Sequence, residues 1–335
     1  MVITGIFAQK LKKMTGKDLR IVFMGTPDFA VASLQALVEN GCQVVGVITA
    51  PDKPAGRGRQ LHESAVKKYA LEKGLHILQP EKLKNPDFIS ELERLKADLQ
   101  VVVAFRMLPE IVWHMPRMGT FNLHGSLLPQ YRGAAPLNWA IINGEKETGV
   151  TTFLLDQEID TGKILFHEKI TIGENDNIGD IHDRLMEIGA RLVVKTVNTL
   201  ADGNYSALKQ DELVAGEPLK HAPKIFKEDC KIDWTKNAAS IHNLIRGLSP
   251  YPAAWTELTD ENGKVFGMKV YSATIEAAKK LAAGTLESDG KTYLKIAAAD
   301  GWINITDLQL AGKKRMKTVD FLRGFHGVMN FKLKA

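Results

Sequence analysis

The sequence predicts an α/β protein of two domains. The first is built on a doubly wound, mostly parallel sheet, and the second is a small OB-like β-barrel. Three observations carry this reading. From Leu19 to about Leu200, apolar runs of strand length alternate with amphipathic stretches of helix length, the pattern of a parallel sheet with helices on its faces. After a polar, turn-rich stretch the alternation gives way to several short strands and one helix, which suits a barrel. At 335 residues, the chain is also longer than one ordinary core holds.

The elements follow in order. Residues 1–18 read as an extension outside the fold: Val2–Ala8 is too short for a signal segment, and its lysines follow it instead of preceding it. Met14, directly before Thr15-Gly16-Lys17-Asp18, is the candidate natural start. Ile21-Val22-Phe23-Met24 forms the first strand and ends at Gly25. Asp28 is the expected cap of a helix over Phe29–Val38, which Asn40-Gly41 stops. A strand at Val44–Ile48 runs into a long polar loop, Ala50–His62. Helices over Ser64–Lys73 and Asp87–Lys96 follow, then a buried-type strand, Leu99–Ala104. In such sheets ligands bind beyond the carboxyl ends of the strands. The first strand leads into Gly25-Thr26-Pro27-Asp28, with neither G-x-G-x-x-G nor a Walker lysine, so the dinucleotide and P-loop readings fail.

A long helix over Ile178–Leu200 precedes Asp202–Pro218, which has no sustained period and reads as a linker. The expected division is an N-terminal extension over 1–18, a catalytic domain over 19–205, a linker over 206–222 and a barrel domain over 223–335. In the barrel, Asn237–Leu248 is the helix. Trp255–Leu258, Val265–Tyr271, Tyr293–Ala297 and Ile303–Leu310 are strands. Trp234, Trp255 and Trp302 read as core or interface residues in preference to base-stacking platforms.

Composition narrows the class. Hydrophobic residues at 44% and charged residues at 25% exclude wholesale disorder. No apolar run reaches the roughly 18 to 20 residues of a membrane span, so no membrane is expected. Two cysteines, Cys42 and Cys230, form no C-x-x-C and fit a reducing, cytoplasmic setting. The histidines lack metal-binding spacings, so no metal is expected. The net charge of +5 is uneven: His221–Ala335 holds 18 Lys and Arg against 12 Asp and Glu. That half points toward a polyanionic partner, although on charge alone a solvated lysine-rich surface is the favoured reading.

The densest chemistry is Phe121-Asn122-Leu123-His124-Gly125-Ser126-Leu127-Leu128-Pro129. Asn122 and His124, two apart at a strand end, share one face. An amide that donates to a developing oxyanion, beside an imidazole that moves a proton near neutral pH, suits a carbonyl-polarising site. Asp156-Gln157-Glu158-Ile159-Asp160-Thr161-Gly162 is a polar loop between the strands Val150–Leu155 and Lys163–Thr171, and a carboxylate there would orient the histidine. Taken singly, a strand-end histidine is more often structural and an Asp before Thr-Gly more often a turn residue. Ser126 lacks a nucleophile elbow, which disfavours a Ser-His-Asp triad.

The chain resembles the methionyl-tRNA formyltransferase family, from about residue 19 to 335 and in order across both domains. The resemblance is carried by Ile21-Val22-Phe23-Met24-Gly25-Thr26-Pro27-Asp28-Phe29-Ala30, by Asn122–Pro129 running into Tyr131-Arg132-Gly133-Ala134-Ala135-Pro136, and by Gly149-Val150-Thr151-Thr152 and Asp160-Thr161-Gly162. It resumes in Ala222-Pro223-Lys224-Ile225, Ile232-Asp233-Trp234 and Ile245-Arg246-Gly247-Leu248-Ser249-Pro250-Tyr251-Pro252. It implies a Rossmann-like formyltransferase fold and transfer of a formyl group from 10-formyltetrahydrofolate to the α-amine of initiator methionyl-tRNA. Asn122, His124 and Asp160 would be catalytic, and Ser126, Leu127, Leu128 and Pro129 would line the folate site. Arg57 and Arg59, in the loop Pro51–Arg59, together with Lys314 and Arg315 in the run Lys313–Lys317, would meet tRNA. The expected state is a monomer. Two departures stand out: Phe105-Arg106 replaces the usual Tyr-Gly of the folate wall, and Gly125 stands where alanine is common. The Asn-x-His…Asp signature is shared with sugar-amine formyltransferases, so a nucleotide-linked amino sugar is the alternative acceptor. A non-catalytic RNA-binding protein that has kept the barrel is a third reading, and the intact Asn122, His124 and Asp160 argue against it.

Overall fold

The computed structural model describes residues 14–55, 60–214, 216, 218–277, 282–325 and 331–333. Residues 1–13 of the expected extension lie outside these. Residues 14–18, expected to stand apart from the fold, are tied to it. Gly16 is buried in a short 3-10 turn and donates its N–H to Asn198 Oδ1 at 2.9 Å. A side chain there would meet Val197 at 2.7 Å.

The large sheet has seven strands: β1 (Arg20–Gly25), β2 (Gln43–Ile48), β3 (Ile77–Leu78), β4 (Leu99–Val103), β5 (Thr120–His124), β6 (Glu147–Leu154) and β7 (Ile164–Thr171). Their order is β7-β6-β5-β4-β1-β2-β3. Pairing is parallel from β3 through β5 and antiparallel between β5 and β6. The central strands are apolar throughout because both faces are covered; Ile21, Val22, Phe23 and Leu99 have no exposed surface.

The helices begin where short polar side chains satisfy the first free N–H groups. Ser64 Oγ accepts from Lys67 N–H ahead of Ala65–Glu72, and Asn85 Oδ1 accepts from Asp87 N–H ahead of Pro86–Arg94. Asp28 is not a cap. It is the first residue of the helix Asp28–Glu39, behind an extended Pro27, and its carboxylate sits in the first turn where the helix dipole favours it. The Ala50–His62 stretch is not wholly loop either. Lys53–Ala55 and Gln60–His62 pair as an antiparallel hairpin, and Asp52 at its base is held by Lys67 and by Gln79 Nε2 at 2.9 Å.

The C-terminal sheet contains β8 (Ala254–Thr259), β9 (Val265–Ala277), β10 (Leu286–Ser288), β11 (Leu294–Ala297), β12 (Gly301–Leu310), β13 (Met316–Lys317) and β14 (Lys332–Leu333). Its order is β10-β11-β12-β9-β8-β14, with β13 on β12. The pairing is antiparallel, and the sheet curls into a nearly closed barrel. The register of β9 slips at Val270–Ala273, the kind of bulge that bends a long strand. Ile241, Ile245 and Leu248 of the helix Ala238–Leu248 join Met268, Ile305 and Phe321 in one apolar core.

The chain divides into two compact units, and not at a single point in sequence. One holds the chain up to His124 with Thr151–Glu168 and Met186–Leu213; the other holds Gly125–Val150, Lys169–Leu185 and the chain from Val214. Segments from before residue 186 belong to the second unit for specific reasons. The helix Pro136–Ile142 packs on Ala238–Leu248, where Asn138 Nδ2 donates to Gly247 O at 2.8 Å. The buried Arg246 guanidinium donates to the carbonyl oxygens of Gly173 and Asp176. The stretch expected as a linker is anchored as well. Leu208 bridges to Ile164, Gln210–Leu213 forms a 3-10 turn, and His221–Ala222 pairs with Arg132–Gly133.

Candidate active site

The site is built on the end of β5. Leu123 points to one face of the sheet, where a side chain at Gly189 of the helix Ile178–Asp202 would meet it at 2.7 Å. Strand alternation therefore sends Asn122 and His124 to the opposite face. The same alternation acts in β6, paired Asn122↔Phe153 and His124↔Thr151. Thr152 turns inward to Thr196, Oγ1 to Oγ1 at 2.9 Å. Phe153 faces the other way and meets the His124 ring edge-on, with centroids 6.4 Å apart and planes at 83°.

His124 is buried, at 6% exposure. Its Nδ1 lies 3.8 Å from Asp160 Oδ2. That separation is too long for a hydrogen bond and within range of an ion pair, and such contacts can tighten when substrate binds. Asn122 Oδ1 is buried with no hydrogen-bond partner among the described residues. Leaving a buried acceptor unpaired costs about 1–3 kcal/mol.

Asp160 sits in the turn after β6 with φ +56°, a left-handed conformation that Asp tolerates better than most residues. Two neighbours impose it. Gly162 lies so close to β6 that a side-chain carbon there would stand 1.7 Å from Leu154 O. Gln210, 2% exposed, donates both amide hydrogens, to Asp160 O at 2.7 Å and to Gly162 O at 2.9 Å. Sequence reading missed Gln210, which falls in the stretch taken for a linker.

The four residues Ser126–Pro129 follow His124 directly. Ser126, Leu128 and Pro129 are buried. Ser126 Oγ donates to Gln130 O at 2.7 Å, and the Leu128–Pro129 peptide is cis. These three shape the loop, while Leu127 keeps part of its surface exposed. Beyond the carboxyl end of β4 lies a cavity of about 780 Å³, lined by Leu83, Lys84, Arg106, Met107, Leu108 and Ile111. Arg106 donates to Glu81 O at 2.8 Å and to Pro80 O. It lies 5.6 Å from the Phe105 ring centroid, so of the departure at 105–106 it is Arg106 that lines this cavity.

The expected tRNA contacts fare differently. Arg57 and Arg59 lie outside the described residues. Lys314 is exposed in the turn between β12 and β13. Arg315, also exposed, makes a structural pairing: Nε and Nη2 each bond an Asp307 carboxylate oxygen at 3.0 Å, and its guanidinium lies 4.2 Å from the Tyr271 ring centroid. Among the described residues no three His, Cys, Asp or Glu side chains cluster as a metal site, and no helix is long and apolar enough to cross a membrane.

This geometry coincides with two family matches: residues 19–197 match the formyl transferase family, and residues 224–326 match the formyl transferase C-terminal domain. A methionyl-tRNA formyltransferase of Bacteroides fragilis is 55% identical over 323 residues, 96% of this chain and all of that protein. The one from Parabacteroides distasonis is 57% identical over 95% of this chain and 99% of that protein. Among solved structures, WlaRD, a sugar 3N-formyl transferase, superposes with a TM-score of 0.61 over 88% of this chain and 99% of that one; at 23% identity it shows the shared fold. Matched in both halves and along nearly its whole length, the chain belongs to the methionyl-tRNA formyltransferase family.

Proposed function

We propose that the protein transfers the formyl group of 10-formyltetrahydrofolate to the α-amine of methionine esterified to initiator tRNA. The observation that carries the chemistry is the Asn122 amide oxygen, without a hydrogen-bond partner among the described residues, beside His124 with Asp160 3.8 Å away, in a chain that aligns over 96% of its length with a methionyl-tRNA formyltransferase. The amine attacks as the free base, and an α-amino group titrates near about 7.7 to 8.0, so much of it is neutral at cellular pH. Its nitrogen bonds to the formyl carbon, whose oxygen becomes an anion. The bond from that carbon to N10 then breaks. The attacking nitrogen gives up one proton and N10 gains one, so the step balances without an oxidant or reductant.

In this reading Asn122 donates an amide hydrogen to the oxyanion and offers Oδ1 to an N–H of the reacting nitrogens. His124 carries the proton between them. The Asp160 carboxylate attracts the positive charge that His124 acquires during transfer. The cavity beyond β4, walled by Arg106 and Met107, and the Ser126–Pro129 loop are the candidate folate contacts. Residues 19–205 then carry the chemistry and 223–335 take the tRNA, joined by 206–222. The enzyme acts as a monomer in the cytoplasm.

The test is formyl transfer from 10-formyltetrahydrofolate to methionyl initiator tRNA, with methionyl elongator tRNA and free methionine as parallel acceptors. Transfer confined to the initiator supports the reading. Folate binding without transfer to any of the three, but with transfer to a nucleotide-linked amino sugar, would replace it.

A further inference from the structure

A second cavity, of about 680 Å³, opens on the C-terminal unit and is lined in part by Phe226, Lys227, Tyr251, Trp255, Lys269 and Gly312. It takes no part in the chemistry described above. Two of its aromatic rings stand in solvent, Phe226 at 58% and Tyr251 at 81% exposure, where large apolar side chains grouped together ordinarily mark a binding surface.

The cations around it are arranged on the aromatics. Trp255 is fixed through its indole N–H to Lys227 O at 2.9 Å. The ammonium groups of Lys227 and Lys231 lie 5.4 and 5.7 Å from its ring centroid, and that of Lys224 lies 5.4 Å from the Phe226 centroid. Lys269 Nζ, one of the lining cations, donates one of its three hydrogens to Pro252 O at 3.1 Å. Gly312 on the rim leads directly into the exposed Lys313 and Lys314. The acidic group among the lining residues, Glu257, lies 3.9 Å from Lys231 Nζ.

We propose that this cavity receives one unpaired nucleotide of the tRNA, its base stacked against Phe226 and Tyr251 and its flanking phosphates met by Lys227, Lys231 and Lys269. Exposed rings offer a stacking face to any base, and ammonium groups beside them suit the backbone charge, which together make a single-stranded nucleic-acid site. A folded peptide would use the rings but not so concentrated a positive rim. The inference rests on the tRNA reading above and adds a place on the protein to it.

The experiment uses the full chain and initiator methionyl-tRNA. Phe226→Ala combined with Tyr251→Ala should weaken tRNA binding roughly tenfold or more, the loss of stacked base contacts, while KM for 10-formyltetrahydrofolate stays unchanged. Phe226→Trp, which keeps a stacking face, should retain wild-type affinity. Ultraviolet cross-linking should join an unpaired nucleotide to the peptide carrying Phe226 or Tyr251. Undiminished affinity in the double variant, or cross-links confined to base-paired nucleotides, overturns the assignment and leaves the tRNA reading standing. A wild-type protein that binds no methionyl-tRNA overturns both.

Discussion

A side-chain carbon placed on Gly162 would stand 1.7 Å from the carbonyl oxygen of Leu154. Backbone rather than a pliable side chain fills that space, so the turn carrying Asp160 has to move if the glycine is replaced. Gly162→Ala should therefore shift Asp160 away from His124 and reduce kcat by about 10²-fold, the scale of an ångström-sized misplacement at a reacting site. Single-turnover rates on the purified variant check this. Near-normal rates would mean that the position of Asp160 is not critical.

Gln210 holds the same turn from the other side, through the carbonyl oxygens of Asp160 and Gly162. Gln210→Leu roughly keeps the volume and removes both donated hydrogen bonds, at about 1–3 kcal/mol for each acceptor left buried without a replacement. A lowered melting temperature and a kcat reduced tenfold or more, on the order of 1.4 kcal/mol in barrier height, are expected. Gln210→Glu keeps the reach and loses the donors, so it should resemble Gln210→Leu; wild-type rates in both would remove Gln210 from the site.

Much of this arrangement was legible in the sequence, and the misses have physical reasons. Asn122 and His124 share a face because a strand repeats every two residues, a local rule that needs no partner to be known. The Asp160 turn shows itself as a polar stretch between two apolar runs. Gln210 carries no such mark: its role exists only through contacts 48 to 50 residues away in sequence. The Arg315 pairing was invisible for a related reason. A run of cations reads as solvated surface or a phosphate contact, whereas the pairing of β12 with β13 brings Asp307 opposite Lys317 and within reach of Arg315. The hairpin Lys53–Ala55 with Gln60–His62 is too short, with Pro54 inside it, to display a period. The units are interleaved in sequence because the helix Pro136–Ile142 packs on a helix a hundred residues later.

If Asn122 and Asp160 act only as the transition state forms, removing either should lower kcat and kcat/KM together. Asn122→Ala should lose about 10²–10³ in kcat, the cost of one oxyanion donor. Asp160→Asn keeps the shape and loses the charge. A charge 3.8 Å from the ring should matter by up to about 10² even in a screened site. Steady-state kinetics at saturating folate separate these outcomes from a binding defect, which would raise KM with kcat intact.

Asp307 links the barrel's stability to pH. Burial works against its charged form, but the hydrogen bonds from Arg315 and Lys317 outweigh burial and hold the carboxyl below its ordinary value. A depressed folded-state value means the stabilisation is fully present above the ordinary carboxylate range and fades as pH falls through that lowered value. Arg315 and Lys317 are themselves largely exposed, which limits the effect through solvent screening. Asp307→Asn should cost about 1 kcal/mol near neutral pH, and the gap to wild type should close in acid. Denaturant unfolding at pH 7 and below pH 4 measures both ends. A gap that widened in acid would reverse the assignment.

Lys314 and Arg315 are adjacent in sequence and should respond differently. Lys314 is exposed, so Lys314→Ala should leave the melting temperature alone, weaken tRNA binding evenly across sequences and flatten the salt dependence by about one unit of slope. Arg315→Ala removes the guanidinium from Asp307 and Tyr271, leaving a carboxylate at 6% exposure with Lys317 as its remaining ion-pair partner among the described residues. It should therefore lower the melting temperature, and any loss of tRNA affinity should accompany that destabilisation. Binding titrations at two or more salt concentrations, paired with thermal melts, separate the two. Equal salt slopes for wild type and Lys314→Ala would show that the ammonium meets no phosphate.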